Sequence, residues 1–477
     1  MKSFQLHNIK SYLDSNKVEI KPITIFIGKN SSGKSSLIRF PMVLKQTLEE
    51  SISPLLFYGK YIDYGNYEDI VFNHNEKENV SFSITLDSIE LKNLVNQMYF
   101  FEKNEFAEFT DYIGYKKNDE SEFTLTVEIG RQIRDSIFAG ELEIKKYSIE
   151  FYNDIIFSVE NNEGKYDIYI KGKHQKNKSG AFNGLSFKFL TKNKLKNDEN
   201  ELETKEVDFI SRLLRSIEIN LLSTASNISY IGPFRRTPDR NYRYQEANKL
   251  DIGSDGSYTS ELLASYHRKN DKDFFNKLNE WLGEHLHMHI YVEDLKGGMY
   301  RIVVEDLHTG VKNNIIDVGF GLSQVLPIIV QVLQEDKNKL NDNPFSWRLA
   351  RNTRNIKIIE QPELHLHPEA QSNLADLFIK GAQINKKNNF IIETHSEHLI
   401  LRLRRRILEG SIKSDKVAIY YVEKDLNENR GSNVKKLEIK SDGDIENWPA
   451  DFFDQDYREI MKINKLKANH SPGEETW

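Results

Sequence analysis

Cysteine is absent from the 477-residue chain. That excludes disulfides, thiolate metal sites and cysteine nucleophiles, and it removes one clue to compartment. A dominant charge is missing as well. The chain carries 66 Lys and Arg against 72 Asp and Glu, a net charge of −6. Any nucleic-acid contact must therefore be a local patch rather than bulk attraction. Long apolar runs are lacking too. The most apolar window, Val325 to Leu333, is far too short to span a bilayer. The start, Met1-Lys2-Ser3-Phe4-Gln5-Leu6-His7-Asn8, has no apolar signal core. The expected setting is cytoplasmic, with no membrane partner. Neither an internal repeat nor a low-complexity segment occurs. What remains is a globular composition, 38% hydrophobic and 29% charged, long enough for two or three domains and a large core.

One stretch organises the rest. Gly28-Lys29-Asn30-Ser31-Ser32-Gly33-Lys34-Ser35 reads G-x-x-x-x-G-K-S. The apolar run Ile23 to Ile27 precedes it and Ser36-Leu37-Ile38 follows, the strand and helix context that a phosphate-binding loop requires. Glycines let successive N–H groups turn toward phosphate oxygens, and the helix start adds partial positive charge. The expected nucleotide contacts are Gly28, Asn30, Ser31, Ser32, Gly33, Lys34, Ser35 and Ser36. Lys34 would reach the β- and γ-phosphates and Ser35 would ligate Mg²⁺. A nucleoside triphosphate, ATP with Mg²⁺, is the expected cofactor.

In chain order, Phe4 to Leu6, Val18 to Ile20 and Ile23 to Ile27 predict short strands. Pro41 follows the phosphate loop closely and predicts a kink or early helix break near Phe40. Asp63 to Asp69 suggests a loop. From about 79 to 190, alternating runs such as Val80 to Ile84, Phe123 to Val127 and Tyr147 to Phe151 predict a β-rich region with polar outer faces. Lys173 to Ser179 reads as an exposed tip. Val207, Ile210, Leu213, Leu214, Ile217 and Leu221 keep helical spacing over 203–222. Tyr230 to Tyr244 interleaves Arg235, Arg236, Arg240 and Arg243 with aromatics. That composition suits phosphate or base contacts, but a solvated loop whose arginines pair with nearby acids is the favoured reading. Two strands joined at Lys296-Gly297-Gly298 are expected over 284–306.

Three further motifs carry chemistry. Asp317-Val318-Gly319-Phe320-Gly321-Leu322-Ser323-Gln324 predicts a glycine turn running into an apolar helix, with Ser323 and Gln324 as polar arms. Ile356-Lys357-Ile358-Ile359-Glu360-Gln361-Pro362-Glu363-Leu364-His365-Leu366-His367-Pro368 is an apolar strand ending in an acid. Glu360 would hold Mg²⁺ or its waters opposite Ser35. His365 and His367 lack a third ligand at useful spacing, so a zinc site is not favoured. Asn389 to Ile400 delivers Thr394 and His395 at a strand end, where ligands gather in open α/β sheets. His395 could donate a hydrogen bond to a γ-phosphate. The arginines 402, 404, 405 and 406 then read as a solvated helix face.

Together these motifs resemble the ABC-type ATPases of the RecF/SMC/OLD group. They resemble more narrowly the bacterial stand-alone ATPases that carry E-Q-P-E-x-H-L-H-P and T-H-S-E-x-L, found in OLD-like, Septu- and PARIS-type defence modules. The tail Gly443 to Asp454 resembles the tail, of unknown function, seen in that narrower group. The resemblance implies an α/β fold: an ABC-type P-loop nucleotide-binding domain with an inserted β-rich and helical region. The implied division is 1–78 for the first ATPase part, 79–224 for the insertion and 225–477 for the second part. It implies ATP held between two subunits, with Gly319, Gly321, Ser323 and Gln324 as a degenerate signature closing on the partner's P-loop. A homo-oligomer, at least a dimer, and a separately encoded effector, such as a nuclease, are the implied partners, with nucleic acid a further candidate. The position of the usual catalytic glutamate is Gln361, which orients water but cannot take its proton. Either Glu363 supplies the base or hydrolysis is slow. Three other functions are weighed. They are a RecF-like ATPase on DNA ends using Arg235 or Arg243, a transporter subunit, and an OLD-type nuclease using Glu423, Asp442 and Asp444. The last is disfavoured because only 82 residues follow His395, less than a usual domain. Those acids read as hairpin turns.

Overall fold

The computed structural model describes the chain except residues 87–121, 133–140, 152, 163, 177, 191–200, 247–250, 335–353, 426–430, 450–459 and 467–477, and the side chains of 201–205. Ala450 to Asp454 of the tail motif lie outside the described residues.

The strand before the phosphate loop, β4 (Ile23–Gly28), is buried along its whole length. It follows β1 (Ser3–Ile9), β2 (Tyr12–Asp14) and β3 (Val18–Glu19). Isoleucines alternate with Thr24 and Phe26, so Ile25 and Ile27 face one core while Phe26 faces the other. A strand covered on both faces reads as a continuous apolar run, and that is what parallel sheets require. Downstream of the β-rich region, whose strands are β5 (Val80–Leu86), β6 (Phe123–Arg131), β7 (Leu142–Phe151), β8 (Asp154–Asn162), β9 (Lys165–Ile170), β10 (Lys173–His174), β11 (Ser179–Asn183) and β12 (Ser186–Leu190), come ten more. These are β13 (Ile228–Ile231), β14 (Tyr242–Arg243), β15 (Met288–Leu295), β16 (Met299–Asp306), β17 (Lys312–Asn314), β18 (Asn355–Glu360), β19 (Asn388–Glu393), β20 (Val417–Lys424), β21 (Ser432–Ile439) and β22 (Ile445–Glu446).

The nucleotide-loop sheet runs β13-β18-β19-β4-β20-β21-β22. Its first five strands are parallel, and β21 and β22 close it antiparallel. The acidic strand β18 is therefore not the neighbour of β4. Strand β19 lies between them, pairing Glu393 with Glu360 on one side and with Phe26 on the other. Helices cover the sheet: Phe320–Leu333, Pro368–Ile384 and Glu397–Leu408 pack against the Ile25 face.

The β-rich region does not stand apart from the N-terminal strands. Strands β10-β9-β8-β7-β6-β5-β1-β2, with β3 beside β1, form one nine-stranded antiparallel sheet among the described residues. Alternation Val80, Phe82, Ile84 and Phe123, Leu125, Val127 turns one face inward, as period-2 patterning dictates. The 26-residue helix Glu201–Ser226 closes over it, longer than the 203–222 span that the spacing predicts. Over 171–176 all but Gln175 are exposed, although Lys173 and His174 still pair with β9.

Proline does break the first helix. Lys34–Ile38 ends at Arg39, and a second helix, Phe40–Glu50, starts with Pro41 in its first turn, where its missing N–H costs nothing. Asp63 to Asp69 is not wholly loop. Asn66 and Asp69 form a capping box that starts a short helix, Tyr67–Ile70; the spacing N-x-x-D carried that signal. The glycine turn is also shorter than expected, because the helix begins at Phe320 with Gly319 as its cap. Gly321, Ser323 and Gln324 therefore sit inside the first turns rather than before them.

Phe26 is fully buried and stacks on Tyr420 of β20 at 5.2 Å between centroids. Phe26→Ala should cost about 3–5 kcal/mol of stability, the usual cost of emptying a core aromatic site. Chemical denaturation of the full chain measures it. A loss under about 1 kcal/mol would show that this ring does not tie the layers together.

Candidate functional site

A cavity of about 1060 Å³ opens over the phosphate loop. The loop residues Asn30 to Ser36 line it, with Gln361, Glu393 and His395 from the sheet and Lys424 and Ser432 from the C-terminal hairpin. Two loop glycines are required by geometry. A Cβ on Gly28, at φ +150°, would lie 2.1 Å from the Val422 carbonyl oxygen. On Gly33, at φ +99°, it would lie 2.3 Å from Ser11 Oγ. Ser32 is buried, and its hydroxyl has no hydrogen-bond partner among the described residues. A buried orphan hydroxyl in a glycine-shaped cradle fits phosphate oxygens as ligand.

Lys34 is 3% exposed and folds back over the loop, donating to the carbonyls of Gly28 (3.0 Å) and Lys29 (2.8 Å). Burial lowers its pKa, and Glu393 and Glu363 oppose that shift. Ser35 Oγ donates to Glu393, at 2.8 Å and 3.1 Å to its two oxygens. Lys34 Nζ lies 4.0 Å from the same carboxylate. Burial, and then the nearby Glu360, push the Glu393 carboxyl up to about 7, against the Ser35 hydroxyl. Glu393 was not singled out by sequence. Its signal in the sequence is an acid closing an apolar strand, as Glu360 does.

Glu360 is 2% exposed and held differently. Arg39 clamps it with Nε at 2.5 Å and Nη2 at 2.6 Å, and the Tyr230 hydroxyl donates to it at 2.9 Å. Arg235 passes beneath, donating to the carbonyls of Glu360 (2.6 Å) and Gln361 (3.1 Å). Burial pulls the Arg235 pKa down, opposed by Glu363 and Glu360. Glu363 is buried, and both of its oxygens are engaged. It accepts from Thr394 Oγ1 at 2.8 Å and from the His395 backbone N–H at 2.7 Å. Burial raises its pKa. It thereby brackets the turn that carries His395. Burial, then Lys34, lowers the pKa of that histidine, which favours neutral imidazole in the cavity. Gln361 leaves its strand at φ +44°, which sets its side chain on the cavity wall.

The remaining expected residues lie elsewhere. None of Gly319, Gly321, Ser323 and Gln324 lines the cavity. Ser323 is 7% exposed and spends its hydroxyl on the Phe320 carbonyl at 2.7 Å; Gln324 is buried. Gly319 and Phe320 are exposed at the helix start. Three of the four arginines in the arginine-aromatic stretch make internal contacts, and Arg243 is exposed. Arg235 is buried, Arg236 pairs with Asp239 and Arg240 pairs with Asp317. The arginine helix does likewise: Arg402 and Arg406 share Asp376, and Arg404 holds Asp444. Glu423 lies on β20 paired across to Asn433, not in a turn, and forms an ion pair with Lys435. Among the described residues no His/Cys/Asp/Glu group could hold a metal as a cluster of three, and His365 and His367 are exposed. No helix among them is long and apolar enough to cross a membrane.

A buried strand, a glycine-rich loop and a helix, with acids ending two adjacent parallel strands, define an α/β P-loop protein. The chain belongs to the AAA ATPase domain family, whose model matches residues 1–400. A second family, a protein of unknown function (DUF3696), matches residues 412–463. No curated protein matches. Similar solved structures include an SMC head bound to the C-winged helix domain of ScpA, at 12% identity and a TM-score of 0.40 over 92% of this chain and 98% of that one. The SMC head domain from Thermotoga maritima is similar at 10% identity and TM-score 0.37, over 92% and 99%. The Smc head from Pyrococcus furiosus, with an extended coiled coil and bound to the C-terminal domain of ScpA, is similar at 10% and 0.37, over 98% and 99%.

Arg39→Ala leaves Glu360 buried without its cation. Stability should fall by about 3 kcal/mol, the low end for a broken buried pair because the guanidinium keeps some water contact. The double change Arg39→Met with Glu360→Met should recover most of that loss. Denaturation midpoints of the wild type and the two variants measure it.

Proposed function

We propose that the chain is an ATP-binding, slowly hydrolysing switch ATPase that closes as a homodimer over nucleotide and controls a separately encoded effector in an anti-phage defence module. The observation that supports it most is an incomplete site. The cavity has a P-loop, acids and His395, yet no residue of the signature stretch lines it, and within that stretch Gly319 and Phe320 are exposed. A second copy would complete it. In this reading residues 1–78 and 225–477 make the ATPase, and 79–224 is the partner-facing insertion. The effector and the defence setting rest on the resemblance of the E-Q-P-E and T-H-S-E motifs. Arg235, Arg236 and Arg240 are engaged by the chain's own groups and lend no support to DNA ends as substrate, whereas Arg243 stands exposed. The setting is the cytoplasm, where ATP is plentiful.

The residues divide the work. Asn30 to Ser36 supply backbone and hydroxyl donors to the phosphates. Lys34 exchanges its carbonyl partners for the β- and γ-oxygens. Bound Mg²⁺ neutralises charge on those oxygens. Gln361 orients water and His395 donates toward the γ-phosphate. Proton removal is the weak step. Gln361 has no basic group, and both Glu363 oxygens are already hydrogen-bonded. Slow turnover suits a protein that stores a state and releases it on a trigger.

Lys34→Ala should abolish binding of a fluorescent ATP analogue and any ATP-induced dimer seen by light scattering, while thermal unfolding stays cooperative. Wild-type affinity in that variant would sink the assignment. Gln361→Glu should raise phosphate release by about 10²-fold or more, the usual worth of a positioned general base. Unchanged turnover would remove the missing base as the cause of slow hydrolysis.

A further inference from the structure

Two buried carboxylates end neighbouring strands above the phosphate loop, and their partners differ. Glu360 sits on β18, one strand further from β4 than Glu393. Adjacent strands stand about 4.8 Å apart, so Glu393 starts one strand spacing nearer the loop. Arg39 takes both oxygens of Glu360, and Tyr230 takes a further lone pair. Among the described residues no guanidinium hydrogen-bonds to the Glu393 carboxylate. It accepts the hydroxyl of Ser35, the P-loop residue expected to touch the metal, and Lys34 Nζ is 4.0 Å away. Its backbone is locked on both sides, by pairing with Glu360 and Phe26 and by the Gln361 N–H donating to its carbonyl at 2.7 Å. A hydroxyl and a carboxylate facing one another across 2.8 Å at the floor of a phosphate cradle are hard oxygen donors, the set that Mg²⁺ prefers.

We propose that Glu393 is the carboxylate that receives the divalent cation beside Ser35, and that Glu360 acts behind it as the anchor of Arg39 and Tyr230. The assignment rests on the nucleotide reading above and names the metal site within it. Metal would displace the Ser35 hydrogen bond to Glu393, and Lys34, at 4.0 Å only loosely paired with that carboxylate, would be free to turn to the phosphates. Occupation through Glu360 would instead require Arg39 to let go.

Mn²⁺ binding to the full chain with a non-hydrolysable ATP analogue, read by electron paramagnetic resonance, tests this. Nucleotide affinity in EDTA serves as the folding control. Glu393→Gln should bind nucleotide in EDTA yet weaken Mn²⁺ by about 10–100-fold, as loss of a group acting on a metal site does. Glu393→Asp, one methylene shorter, should fall between. Glu360→Gln should shift Mn²⁺ affinity less than Glu393→Gln. Wild-type Mn²⁺ affinity in Glu393→Gln or Glu393→Asp, or a larger loss in Glu360→Gln, would overturn the assignment and leave ATP binding standing. A wild-type chain that binds no nucleotide with or without metal would overturn both.

Discussion

The structure depends on the long-range pairing of one strand with two others. Strand β4 is hydrogen-bonded to β19 on one side and to β20 on the other, joining residues 23–28 to 390–393 and 417–422. Nothing local holds the phosphate loop at the right height. Its first glycine is wedged against the Val422 carbonyl, and its second abuts Ser11. Loop closure over that distance costs entropy that must be recovered by burial, and β4 recovers it on both faces. The cradle can therefore form only once the C-terminal strands have docked.

That arrangement also ties the region of unknown function to the nucleotide cavity. The described strands of residues 412–463 are not an appendage. Strand β20 is a direct neighbour of β4, and Lys424 and Ser432 line the cavity wall. Ser432 donates its backbone N–H to the Ser11 carbonyl at 2.6 Å, and β2 meets Gly431. A change in the loop would be felt in the β20–β21 hairpin through backbone contacts. The nine-stranded sheet is coupled as directly, because β1 and β2 belong to it while their turn holds Gly33.

Much of the site was legible because its chemistry is local in sequence. The phosphate loop, the helix break at Pro41 and the strand-end positions of Glu360 and His395 follow from spacing and residue type. Surface and burial were less legible. Arg235 looked like a ligand-binding arginine because sequence shows composition, not depth; in the fold it lies under Glu360 and Gln361. Ser323 looked like a polar arm, yet a helix that begins at Phe320 turns it inward onto its own backbone. Glu363 looked like a candidate base, yet its oxygens meet Thr394 and His395, residues from another strand.

The sequence alone determined that a phosphate-binding loop stands between a buried strand and a helix, and that acids and a histidine end later strands, because each follows from short-range pattern. The order of those strands was decided by tertiary structure. It placed β19 between β4 and β18, and so gave Ser35 to Glu393 and Arg39 to Glu360. Which carboxylate faces the loop is a matter of which strand lies next to which. Hydrogen bonding between distant segments sets that, and no residue spacing encodes it.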